Sequence, residues 1–223
     1  EISFDQSSKF CELCRAAGLE PVTTCFAREH IEKLLDIGFR TIKVASYDCA
    51  SFQMLRELKN VFDKVIVSTG ATFNDEIELA ASILEGVDYA FLHCVTIYPT
   101  PLEELNLARM EYLRSLTNQV GFSDHTLVSR DGVTGSMGAL SLGAEIIERH
   151  FSILKPHETK DGPVSINPDQ LQVIADFAKL PIASRLSIMD EQVPNWCCMV
   201  GSSQRRLSEV ELLNRDYYRG RFA

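Results

Sequence analysis

From Glu20 to about residue 180, short apolar runs alternate with longer amphipathic stretches, which restricts the chain to a repeated strand–helix fold. The runs Glu20–Thr24, Thr41–Ala45, Lys64–Ser68, Tyr89–Cys94, Gln119–Phe122 and Glu145–Ile147 are rich in Val, Ile and Phe. They lack clean period-2 alternation, which suits strands buried on both faces of a parallel sheet. Between them the pattern predicts helices at Arg28–Ile37, Ser51–Leu58, Asn74–Leu84, Leu102–Leu116 and Ser129–Leu142. Another is predicted before the first strand at Phe4–Ala17, and one after the last at Pro168–Ala178. Asn74, followed by Asp75 and Glu76, reads as an N-cap with acids in the first turn. Pro168-Asp169 reads as a helix start.

Strand–helix units of roughly 21–29 residues are those of a TIM-type (β/α)8 barrel. A doubly wound open sheet is the rival, but no G-x-G-x-x-G or phosphate loop follows any strand candidate. The strand ends favour the barrel. Thr24, Lys43 with Ser46, Ser68 with Thr69, Thr96 with Tyr98, Ser123 with His125, and His150 form a series of polar ends. Barrel enzymes build their sites from such residues at the C-terminal face. About six βα units are visible where a barrel needs eight, so the first two are expected to be absent from this chain. Residues 1–180 are expected to form the partial barrel, and 181–223 an irregular C-terminal extension.

Hydrophobic residues make up 45% and charged residues 24%, the balance of a globular protein with a sizeable core. No apolar run approaches the roughly 18–20 residues that span a bilayer, and no basic-then-apolar leader opens the chain, so a cytoplasmic location is expected. A net charge of −9 disfavours nucleic-acid and anionic-membrane partners, while leaving room for a small anionic substrate bound by local cations. The seven cysteines form no framework. Cys11 and Cys14 lie at helical spacing, and Cys197-Cys198 are adjacent, so all are expected to be reduced thiols.

Two histidines stand just beyond successive strand candidates, His125 in Gly121–Thr126 and His150 in Glu148–Phe151. Parallel strands deliver their C-terminal residues to one end of the sheet, so the two imidazoles would converge as metal ligands do. The alternative is a pair of rim histidines satisfied by their neighbours. Lys43 lies inside the apolar run Thr41–Ala45, where a charge is costly unless it reaches a strand end and holds an anion or snorkels to water. Ser46, Ser68, Thr24 and Ser123 supply hydroxyl donors that, with the lysine, would cradle a phosphate or carboxylate. His93 reads as a core histidine, His30 as a surface one and His157 as a solvated loop residue. Asp161 shares that loop and would suit a hydroxylated ligand. Asp124 would orient an imidazole or cap the next helix.

Taken together, Lys43–Ser46, Val67–Gly70, His93–Pro101, Gly121–Thr126 and Glu148–Phe151 resemble the sialic acid synthase family over about residues 8–175. These enzymes condense phosphoenolpyruvate with N-acetylmannosamine or related acylated amino sugars to give nonulosonic acids. The resemblance implies a divalent ion on His125 and His150, manganese first, with magnesium or cobalt as substitutes. It implies phosphoenolpyruvate at Lys43, Ser46, Thr24, Ser68 and Ser123, and the amino sugar at Thr96, Tyr98 and Asp161. Lys43, His125 and His150 would be the catalytic residues, and the enzyme a homodimer. The family often has Asn where this chain has Thr96, and the wording of the 155–162 loop also departs. Counterparts of the family's first two strands and of its C-terminal antifreeze-like domain are expected to be missing. Two rivals stand beside this reading: another phosphoenolpyruvate-dependent sugar-acid synthase, such as one making an octulosonate, and a non-catalytic or partner-dependent barrel remnant.

Overall fold

The computed structural model describes residues 2–218; Glu1 and the last five residues of the predicted extension, 219–223, lie outside the described residues. Six strands, β1 (Val22–Thr24), β2 (Thr41–Val44), β3 (Lys64–Ser68), β4 (Asp88–Cys94), β5 (Gln119–Asp124) and β6 (Ile146–Arg149), follow one another in chain order in the sheet. The registers of β1 with β2, β2 with β3 and β5 with β6 are parallel. The helices are α1 (Phe4–Ala16), α2 (Ile31–Ile37), α3 (Phe52–Lys59), α4 (Asn74–Leu84), α5 (Arg109–Arg114), α6 (Val128–Asp131), α7 (Thr134–Ser141), α8 (Pro168–Ala178), α9 (Ile182–Gln192) and α10 (Glu209–Tyr218). The chain is therefore α/β. Among the described residues no helix is long and apolar enough to cross a membrane.

Two compact units divide the described chain, residues 2–91 with 215–218, and residues 92–214. In the first, all four residues of β2 are buried, as are Val65 and Val67 of β3, Met54, Leu55 and Leu58 of α3 and Ile77, Ala80 and Leu84 of α4. Each such Val, Leu, Ile or Met side chain contributes about 1.5–3 kcal/mol by leaving water. In the second, Leu92, Val120 and Phe122 are buried, as are Leu107, Met110, Leu113 and Met199. Gly121 is required there: a Cβ would stand 2.4 Å from the Ile146 carbonyl oxygen.

Several boundaries move for local reasons. β1 starts at Val22 because Pro21 offers no N–H to a ladder, and the Glu20 carboxylate instead accepts from the Thr41 hydroxyl. The helix expected over Leu102–Leu116 is a 3-10 turn, Leu102–Glu104, and α5, separated by Asn106 at φ 49°. That over Ser129–Leu142 splits into α6 and α7 around Gly132 at φ 56°. Left-handed backbone cannot continue a right-handed helix. The N-cap of α4 is Phe73 rather than Asn74, and the Glu76 carboxylate accepts from the Phe73 N–H at 3.0 Å. The segment after residue 180 is not irregular: it carries α9, a 3-10 turn at Trp196–Met199, and α10.

Candidate active site

In the second unit, β5 and β6 hold the site by their register. Ser123 pairs with Glu148 and Asp124 with Arg149 across the two strands. Alternate residues of a strand face opposite sides, so Ser123 and Glu148 share a face with the next residues of that row, His125 and His150. Asp124 and Arg149 face the other way. The rows are visible in the side-chain contacts. The Ser123 hydroxyl donates to Glu148 Oε1 at 2.6 Å. The rings of His125 and His150 lie 5.3 Å apart, centroid to centroid, at 59°. Tyr98, just past β4, completes the cluster at 4.0 Å from His125 and 6.2 Å from His150. His125 is buried and His150 is partly exposed, with Asp161 Oδ2 at 3.9 Å from its Nδ1.

Behind this row stands a buried polar brace. Asp124, fully buried, pairs with Arg149 and accepts from the Thr126 N–H at 2.9 Å and the Ser136 hydroxyl at 2.6 Å. Arg149 also donates to the Thr126 hydroxyl at 2.8 Å and its carbonyl at 3.1 Å. Gly135 permits the approach of α7, since a Cβ there would stand 3.0 Å from Asp124 Oδ2. His125 is thus fixed from both neighbours, and its carbonyl accepts from the Thr100 N–H at 2.9 Å. The expectation that Asp124 orients an imidazole or caps a helix is corrected: its carboxylate is committed to Arg149, Thr126 and Ser136.

Thr96 is buried, with its carbonyl accepting from Asn214 Nδ2 at 2.8 Å, and its hydroxyl oxygen has no hydrogen-bond partner. His93 is the core histidine expected. It is buried, with Nε2 2.6 Å from the Leu105 carbonyl oxygen, and burial together with the charge of Arg205 lowers its pKa to about 3. His157 is exposed and lines a cavity of about 590 Å³ with Ser152, Ser165, Asn167 and Gln170. All seven cysteines are free thiols, as expected.

In the first unit, Lys43 is 7% exposed and its Nζ donates to the Ser68 hydroxyl at 2.7 Å and the Val44 carbonyl at 3.1 Å. Thr24 lies opposite Lys43 in the β1–β2 register. Ser46 opens a 3-10 turn after β2, and its carbonyl accepts from the buried Thr72 hydroxyl at 3.3 Å. Lys43 and Ser68 therefore touch, and Ser46 is tied to the loop after β3.

The imidazole pair can be tested against a divalent ion. Ligand nitrogens about 2.1 Å from one ion would set the two ring centroids roughly 5 Å apart, and 5.3 Å fits. Among the described residues no group of three or more His, Cys, Asp and Glu side chains could hold an ion. Glu148, Arg149 and Ser136 went unassigned in the sequence. The register of two adjacent strands was the signal for the first two, while Ser136 carried none.

The profile of the NeuB family matches residues 1–180. The chain is 32% identical over 159 residues to the N,N'-diacetyllegionaminic acid synthase of Campylobacter jejuni, covering 69% of this chain and 46% of that one. It is 27% identical over 224 residues to a pseudaminic acid synthase of the same species, covering 99% of this chain and 60% of the relative. The crystal structure of the spore coat polysaccharide biosynthesis protein SpsE of Bacillus subtilis superposes with a TM-score of 0.77 at 25% identity, over 90% of this chain and 56% of that one. The chain spans about half the length of the curated relatives it matches.

Proposed function

Because the chain belongs to the NeuB family, we propose that it carries the catalytic centre of a synthase joining phosphoenolpyruvate to an acylated amino sugar. The product would be a sialic acid-like nonulosonic acid plus phosphate. The reading includes a (β/α)8 barrel of which six units lie here, a cytoplasmic homodimer, and a manganese-type ion, with magnesium or cobalt as substitutes. The observation that carries it is the pair of imidazoles, 5.3 Å apart, set by the parallel register of β5 and β6 beside Tyr98.

In this reading the enol carbon C3 attacks the open-chain sugar aldehyde, water adds at C2, and the C–O bond to phosphate breaks. A divalent ion held by His125 and His150 would act as a Lewis acid toward the aldehyde. Lys43, already oriented by Ser68, donates to phosphate or carboxylate oxygens, with Ser46 and Thr24 as hydroxyl partners. Glu148, held by the Ser123 hydroxyl on the face of the imidazoles, is placed to take the proton released by the adding water. Tyr98, Asp161 and the unsatisfied Thr96 hydroxyl offer hydrogen bonds to the sugar.

The test is phosphate release from phosphoenolpyruvate with Mn²⁺ and N-acetylmannosamine or a diacetamido hexose, with a metal-free control. Release that needs both metal and amino sugar is expected, and a pentose phosphate should not substitute. Equal release with a pentose phosphate, or full turnover by His125→Ala or His150→Ala protein, would overturn the reading.

A further inference from the structure

The Lys43–Ser68 pair sits beside a loop that the C-terminal helix holds in place. Resting on the proposed function, in which Lys43 and Ser68 bind an anion, we propose that Arg215 of α10 is a positioning residue for that anion site. Arg215 is 6% exposed and its guanidinium makes three contacts in the first unit. Nη1 donates to the Ala71 carbonyl at 2.7 Å, Nη2 donates to Glu76 Oε1 at 2.6 Å, and the group lies 4.3 Å from the centroid of the Phe73 ring.

These contacts converge on residues 69–73, the link between β3 and α4, and on Glu76 in the first turn of α4. Ala71 is there at φ 51°, a left-handed conformation that a residue with a Cβ seldom takes and keeps only where its surroundings dictate it. Arg215 supplies that dictation by fixing the Ala71 carbonyl. The next residue, Thr72, donates to the Gly70 carbonyl at 3.0 Å and to the Ser46 carbonyl at 3.3 Å. Ser68, which receives Lys43, is the last residue of β3, immediately before this loop. Glu76 is held twice, by Arg215 and by the Phe73 N–H, so the start of α4 and the guanidinium are one unit. A planar fork that binds a carbonyl and a carboxylate while lying against a ring is an arginine's geometry, and a lysine reproduces only part of it.

The consequence is that the anion site depends on a residue 144 positions away from its loop partner Ala71 in sequence, in a helix beyond the matched family region. Binding of inorganic phosphate, measured by titration calorimetry on the whole protein, tests it, with Mn²⁺ binding followed in parallel. Wild type is expected to bind phosphate, and Lys43→Met to bind it roughly 10–100-fold more weakly. Arg215→Met should weaken phosphate about tenfold and Arg215→Lys about threefold, the scale of one charge-assisted hydrogen bond or part of it, with Mn²⁺ affinity unchanged in both. Wild-type phosphate affinity in both Arg215 variants, with Lys43→Met still impaired, overturns the proposal and leaves the anion reading standing. Parallel loss of phosphate and Mn²⁺ in both would mark Arg215 as merely structural and also overturn it. No phosphate binding by wild type removes the anion reading itself. Should Arg215→Met fail to fold, Arg215→Lys decides, and wild-type phosphate affinity in it sinks the proposal.

Discussion

Lys43 and the His125–His150 pair are positioned by different means. Lys43 belongs to the strand itself: all four residues of β2 are buried, and its ammonium reaches the end of the neighbouring strand to meet Ser68. The imidazoles stand one residue beyond their strands and depend on a second row. Asp124 and Arg149 face the helix side and brace the turn from which His125 projects. A charge carried within a strand is held by groups of its own sheet, the Val44 carbonyl and the Ser68 hydroxyl among them. A pair of rings that must share a ligand needs a matched register and a brace behind it. The two regions should therefore fail differently when perturbed.

The largest contrast is expected at the brace. Arg149→Met leaves the fully buried carboxylate of Asp124 without its cation, which costs about 3–5 kcal/mol in denaturant unfolding. A loss below about 1 kcal/mol would show that the brace does not hold the second region together.

Acid should separate the regions next. Folded protein keeps His93 neutral down to about 3, whereas the unfolded chain takes up a proton near pH 6.5. The unfolded state thus binds more protons between those values. Stability is intact above pH 6.5 and falls by up to about 1.4 kcal/mol per pH unit below it. His93→Gln should flatten that slope, and amide exchange should rise in β5 before β2. An unchanged slope in the variant would remove His93 as the cause.

At Lys43 the effect is on ligand rather than fold. Lys43→Met should weaken phosphate roughly 10–100-fold, the worth of a hydrogen bond from a charged donor, and leave Mn²⁺ affinity alone. Smallest of all, Asp161→Asn touches an exposed contact at 3.9 Å from His150 and should change stability by no more than about 0.5 kcal/mol. A larger change would mean that the loop is part of the brace.

Legibility in the sequence divides along the same line. The apolar runs located all six strands; burial writes continuous Val, Ile and Phe most fully in β2 to β5, while β1 and β6 are partly exposed. Lys43, His125 and His150 stood out as polar residues at or near the ends of such runs. Ser68 was placed with Lys43, and the two side chains touch at 2.7 Å. The bond from Ser123 to Glu148 was not foreseen, because only the register of β5 against β6 decides which side chains face each other. Asp124 looked like a helper of the imidazoles for the same reason; its partner Arg149 is adjacent across strands, not along the chain. The helix breaks at Asn106 and Gly132 rest on backbone angles that apolar periodicity does not report. Arg215 left no signal at all, since its partners are fixed by tertiary packing.

Mn²⁺ binding to wild-type, Lys43→Met and His125→Ala/His150→Ala protein, read by electron paramagnetic resonance, tests this division most directly. Tight binding by the first two and its loss in the double histidine variant is the predicted result. Retained Mn²⁺ on the protein without His125 and His150 would contradict it.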